Sequence, residues 1–134
     1  GLDSGYMIAH ATSTSLVSEN KTLSHPASVD SLPTSGGQED LVSMAPWAGL
    51  KLIRIQKNVN RILAIELIVA GAANSLISSN LKSGHGTSKV LDILKKFCAF
   101  NKGDRSLTSE IESVYGILSS GNLYRDISQH LTLE

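Results

Sequence analysis

A chain of 134 residues, 41% hydrophobic, carries enough apolar material for one domain and is short for two. Twelve Lys and Arg against twelve Asp and Glu give a formal charge of zero. This excludes the basic footprint of a nucleic-acid partner or an anionic membrane surface, and no run of eighteen apolar residues offers a membrane span.

The one cysteine, Cys98, has no intramolecular partner and lies in no metal-binding pattern, so a cytoplasmic protein is expected. Gly1 stands where an initiator methionine would, which points to a piece of a longer polypeptide. Only six residues are aromatic, so the core must be built from Leu, Ile, Val and Ala, the palette of close-packed helices. An all-α fold follows.

The first helix is expected from Asp3 to about Leu23, with Asp3 or Ser4 as N-cap and Met7, Ile8, Ala11, Ser15 and Leu16 at helical spacing. Thr12-Ser13-Thr14-Ser15 is its weak point, four poor helix formers that packing must override. From Ser24 to Gly37 two prolines and two glycines among Ser and Thr predict a loop of about fourteen residues. Ser35 and Gln38 have capping-box spacing, with Glu39 and Asp40 next, so a second helix is expected to start at Gln38 and run to Ser79. Pro46 and Gly49 predict a kink near its beginning.

Along that helix Leu41, Ala45, Ala48, Leu52, Ile55, Val59, Ile62, Glu66, Val69, Ala73 and Leu76 repeat in alternating steps of four and three. Glu66 alone interrupts the seam. A carboxylate there needs a partner, either a Lys or Arg across a helix contact or a place in a functional site. A helix of that length, about 60 Å, would overreach a compact globule with a radius of gyration of about 14 Å. Partner helices must therefore come from other sequence or other subunits, and an obligate oligomer is expected. After a loop over Ser79–Ser88, shorter helices are expected at Ser88–Phe100, Ser109–Ser120 (capped by Thr108 or Ser109, with Gly121 beyond its end) and Leu123–His130.

The four histidines, His10, His25, His85 and His130, lack metal-site spacing, so no metal is expected; Ser83-Gly84-His85-Gly86 is no phosphate loop. Asn20-Lys21-Thr22 matches a glycosylation sequon that carries no meaning in a cytoplasmic chain. What remains is the polar stretch from Ser24 to Asp40. It reads either as a loop ending in a capped helix, or as the wall of a binding site holding a carboxylate toward a substrate.

The stretches GLDSGYMIA, SENK, SHPASVDSLPTSGGQEDLVSMAP and ILAIEL, within residues 1–73, closely resemble the C-terminal half of the histidine ammonia-lyases, a branch of the aromatic amino-acid lyase family. From Asn80 the resemblance is looser, resting on LKSGHGTSKVLDILKKF and on Asp104-Arg105. It implies a long-helix bundle of the L-aspartase/fumarase-like class. Residues 1–79 would supply central-bundle helices and an active-site loop over 24–40, and residues 80–134 peripheral helices. It also implies a homotetramer whose active sites draw on several subunits, and elimination of ammonia from L-histidine to give urocanate. No external cofactor is implied, because the family's electrophile is a methylidene-imidazolone made from an internal Ala-Ser-Gly.

Carried over residue by residue, Glu39 falls on the family's essential glutamate, which contacts the substrate imidazole and assists proton transfer. Gln38 precedes it as a residue ordering the site, and Met7 matches a pocket-lining methionine. Relatives acting on phenylalanine and tyrosine generally have Gln at the position of Glu39, so glutamate favours histidine. The departures are as clear. Ala-Ser-Gly occurs nowhere in the 134 residues, and Ser119-Ser120-Gly121 is a helix end. The chain alone is therefore expected to be inactive. The alternatives are a non-catalytic helical oligomerisation module derived from the lyase, and a related lyase or aminomutase for another amino acid.

Overall fold

The computed structural model describes residues 3–77, 81–100 and 102–129. Five helices run in order: α1 Met7–Leu23, α2 Ala45–Ser75, α3 His85–Leu94, α4 Thr108–Ser119 and α5 Asn122–Ser128, with single 3-10 turns at Ala27–Val29 and Ser35–Gly37. Among the described residues the only β pairing is an isolated bridge between Thr34 and Glu39. The all-α expectation holds.

α1 starts later than its expected caps. The Asp3 carboxylate accepts the Gly5 N–H at 3.0 Å, a local turn that replaces capping, and Gly5 takes the left-handed φ of +57° for which glycine suits. The Thr-Ser run is accommodated by side-chain bonds back to the helix, Thr12 Oγ1 to the Ile8 carbonyl (2.9 Å) and Thr14 Oγ1 to that of His10 (3.0 Å).

α2 begins at Ala45, not Gln38, and spans 31 residues, about 46 Å. The capping box does not form, because Ser35 adopts a positive φ of 53° inside the 3-10 turn and Gln38 ends that turn. Pro46 does not kink the helix. It sits in the first turn, where its missing N–H had no partner to lose, and the helix continues unbroken through Gly49. The expected end at Ser79 lies outside the described residues.

α3 starts three residues before the expected Ser88, behind Gly84, and closes at Leu94; the following turn bonds the Phe97 N–H to the Leu94 carbonyl at 2.9 Å. α4 matches its expected span to one residue, although neither Thr108 nor Ser109 caps it through its side chain. Gly121 follows it with φ +71°, the left-handed conformation a helix end favours, and so opens α5. The expected end of that last helix, His130, lies outside the described residues.

α1 and α2 pack antiparallel, and α4 lies along the second half of α2. The core is Ala64, Ile68, Leu94, Cys98 and Val114, closed by Phe100, Ile111 and Tyr115. Gly71 lies under Phe100 so closely that a Cβ would meet the ring at 2.5 Å. Polar contacts fix the α1/α2 register. Asn58, nearly buried, donates to Glu19 Oε2 (3.1 Å) and Asn20 Oδ1 (2.9 Å), and Arg54 pairs with Glu19 at 2.6 Å. Buried Lys51 donates to the His25 carbonyl. On the opposite side Arg61 binds Glu112 of α4 at 3.0 Å and stacks 4.5 Å over Tyr115.

The face that α2 buries is Lys51, Asn58, Ala64, Ile65, Ile68, Gly71 and Ala72. The predicted seam is a different face, with Leu52 64% exposed, Val59 40% and Val69 37%, while its end members Leu41 and Leu76 fall outside the helix. Among the described residues eighteen large hydrophobic side chains stand exposed against ten buried apolar residues, an inversion that marks contact surface left uncovered.

Candidate functional site

The turn that carries Gln38 and Glu39 is built from backbone constraints. Ser35, Gly36 and Gly37 all take positive φ, which reverses the chain within three residues. The Thr34 N–H then donates to the Glu39 carbonyl at 2.9 Å and the Glu39 N–H to the Thr34 carbonyl at 3.3 Å. The reciprocal pair holds the Glu39 backbone while its side chain stays exposed. Downstream, the Val42 N–H donates to Ser31 Oγ at 3.0 Å, fastening the loop's two arms. The result is a carboxylate and an amide on consecutive exposed residues of a fixed turn that precedes α2.

Met7 lies elsewhere. It begins α1 and, 69% exposed, lines an open groove of about 740 Å³ between α1 and α2 with Tyr6, His10, Glu66 and Val69. Ala45 and Val69 stand about 36 Å apart along α2. Glu39 precedes the first turn of α2, whereas the residues of α2 that line the groove with Met7 run from Ile62 to Ala73, and neither Gln38 nor Glu39 lines that groove. Within one copy Met7 and the Gln38-Glu39 turn thus belong to different parts of the surface.

Of the two readings of Glu66, a cross-helix ion pair and a place in a functional site, the structure bears on the first. The Glu66 side chain is exposed in the groove, and among the described residues no Lys or Arg pairs with it. The seam that would have desolvated it is uncovered in this chain, so the cost that called for a partner does not arise.

The N-terminus of α1 has support that the sequence reading missed. Asp104, from the loop before α4, receives the Ser4 N–H on Oδ2 at 2.7 Å and the Gly5 N–H on Oδ1 at 2.8 Å. The Ser4 amide first, then the Asp3 side chain, then the Gly5 amide hold its carboxyl below the usual range. Arg105 next to it forms a two-pronged, largely buried pair with Glu110 (2.8 and 3.0 Å), which raises the guanidinium's hold on its proton further. The spacing of Arg105 and Glu110, straddling a helix start, was the available signal.

Cys98 is buried in the core, and burial, with the Glu110 charge as a second cause, pushes its thiol up to about 11. It is packing material and no nucleophile. Among the described residues no cluster of His, Cys, Asp and Glu is arranged to hold a metal ion, and no helix is long and apolar enough to cross a membrane.

Residues 1–96 match the model of a family described as aromatic amino acid lyase. The histidine ammonia-lyase of Gloeobacter violaceus is 44% identical over 123 residues, which cover 92% of this chain and 24% of the relative. Among solved structures, the crystal structure of histidine ammonia-lyase from Trypanosoma cruzi superposes with a TM-score of 0.90 at 38% identity, over 99% of this chain and 26% of that one. Tyrosine aminomutase from Streptomyces globisporus does so with a TM-score of 0.93 at 30% identity, over 100% of this chain and 25% of that one. The chain thus spans about a quarter of the length of the proteins it matches. With the match running from the α1 N-terminus through the Gln38-Glu39 turn and α2 into α3, this chain belongs to the aromatic amino acid lyase family.

Proposed function

We propose that this chain is the C-terminal part of a cytoplasmic histidine ammonia-lyase, a homotetramer that eliminates ammonia from L-histidine to give urocanate. The observation that carries the reading is Glu39: an exposed carboxylate on a fixed turn, in a chain 44% identical to a histidine ammonia-lyase. An ionised carboxylate accepts the N–H of an imidazole, and a phenyl or phenol ring carries no ring N–H to offer. Glu39 so placed orients the substrate ring and assists removal of the β-proton as the C–N bond breaks and ammonia leaves. Gln38 orders the site beside it, and Met7 lines the pocket of a substrate. Met7 lies against the second half of α2 and Glu39 before its first turn, which supports a site that takes them from different copies. The exposed apolar face of α2 supports that assembly.

The family's methylidene-imidazolone supplies the electrophile of the elimination. No Ala-Ser-Gly exists in this chain to form it, so the residues here do not fit that group and it belongs to other sequence. The 134-residue chain alone should then produce no urocanate absorbance from histidine. In the whole enzyme, Glu39→Gln should lower kcat by about 100-fold or more, the scale of a lost proton-transfer group. Full activity of that variant would remove Glu39 from its role.

A second reading, a lyase or aminomutase for another amino acid, draws on the fold match to tyrosine aminomutase. Substrate profiling separates the two, since a preference for tyrosine or phenylalanine contradicts the argument from Glu39.

A further inference from the structure

We propose that Asp104 and Arg105, which lie beyond the family-matched residues 1–96, are positioning residues that set the placement of Met7 in the substrate pocket. The inference rests on the reading of Met7 as a pocket residue.

The contacts form one continuous strap. Glu110, in the first turn of α4, grips Arg105 through two hydrogen bonds, and the same guanidinium donates through Nη1 to the Lys102 carbonyl at 2.9 Å. The loop before α4 is thereby tied to the helix that packs on α2. Asp104 in that loop takes both amides, Ser4 and Gly5, of the turn leading into α1. The Ser4 carbonyl in turn accepts the Met7 N–H at 3.3 Å. Tyr6, between Gly5 and Met7, packs against the core, and its buried hydroxyl has no hydrogen-bond partner among the described residues.

α1 has no side-chain N-cap of its own. Its N-terminal turn is held instead by a carboxylate about a hundred residues away, two hydrogen bonds to adjacent amides fixing both position and direction. Met7 is exposed, so packing around its own side chain does not place it. The backbone places it, and the strap holds that backbone. Asp104 and Arg105 touch no substrate; they act through Met7.

The test is a double-mutant cycle in the whole enzyme, with thermal melting as a check on assembly. Met7→Ala should raise KM for histidine. Asp104→Asn, which retains one acceptor oxygen, should raise it about threefold, and Asp104→Ala about tenfold, each with a smaller change in kcat. The discriminating result is coupling: Asp104→Ala combined with Met7→Ala should be no worse than Met7→Ala alone. Where Asp104→Ala fails to assemble, Asp104→Asn carries the same cycle. If Met7→Ala raises KM while the Asp104 variants leave it unchanged, or if the effects add in full, the strap does not position Met7 and this proposal is overturned. If Met7→Ala leaves KM unchanged, the assignment of Met7 to the pocket fails, and this inference fails with it.

Discussion

At the scale of single residues, the chain separates groups that look alike in sequence. Glu39 stands in a polar stretch and Glu66 in an apolar one, yet both are exposed, one on a hydrogen-bonded turn and the other in a groove. Asp104 and Cys98 are set apart by environment. The Asp104 carboxyl is held down by the Ser4 and Gly5 amides, so its contribution to stability is present above the unfolded value near pH 4. It is lost as pH falls through the lower folded value. Thermal melting should show a midpoint falling on acidification below about pH 4, and Asp104→Asn should flatten the Asp104 part of that dependence. The Cys98 thiol is raised to about 11, so the sign is reversed: the unfolded chain loses the proton first, and stability declines from about pH 9 upward. At pH 8 iodoacetamide should label the native chain far more slowly than the chain in denaturant. Rapid native labelling would contradict the buried placement.

At the scale of elements, helix type was legible and helix boundaries only in part: α4 matched to one residue, whereas the start of α2 did not. The 3.6-residue pattern identified α2, whereas the expected start at Gln38 failed because three consecutive positive φ values at Ser35–Gly37 turn the chain back before a helix can begin. Spacing alone cannot tell a capping box from a tight turn with the same polar residues. Pro46 shows the same limit, since a proline reads as a kink or a start according to how far upstream the helix extends. Ile68 is 1% exposed where α2, α3 and α4 meet, so Ile68→Ala should cost about 2–5 kcal/mol by chemical denaturation. Arg61→Ala, which removes a half-exposed ion pair and the stack on Tyr115, should cost about 1 kcal/mol or less and weaken the α2–α4 contact alone.

At the scale of the molecule, the excess of exposed over buried large hydrophobics is the dominant feature. Along α2, Leu50, Leu52 and Ile53 are more than half exposed, and Val59, Leu63 and Val69 are left partly exposed beside α1. Light scattering on the isolated 134 residues should show self-association at micromolar concentration, diminished by Leu52→Lys or Val59→Lys. A stable monomer would require the apolar face to be tolerated in water, against the proposed assembly.

Composition and periodicity were enough to establish an all-helical chain with one long, doubly apolar helix, because few aromatics and a four-three repeat leave little else to build. Motif identity was enough to point to the lyases. Which face of α2 packs inward could not be read from the repeat. The Leu41–Leu76 seam is the regular one, but the inward face is Asn58, Ala64, Ile68 and Gly71, chosen by small residues that admit Phe100 and by polar partners on α1. The separate placement of Met7 and Glu39 and the grip of Asp104 on Ser4 and Gly5 likewise depend on elements far apart in the chain. Local pattern encodes what a segment becomes; which segments meet is settled by the packing of the whole, where long-range hydrogen bonds and close contacts outweigh local regularity.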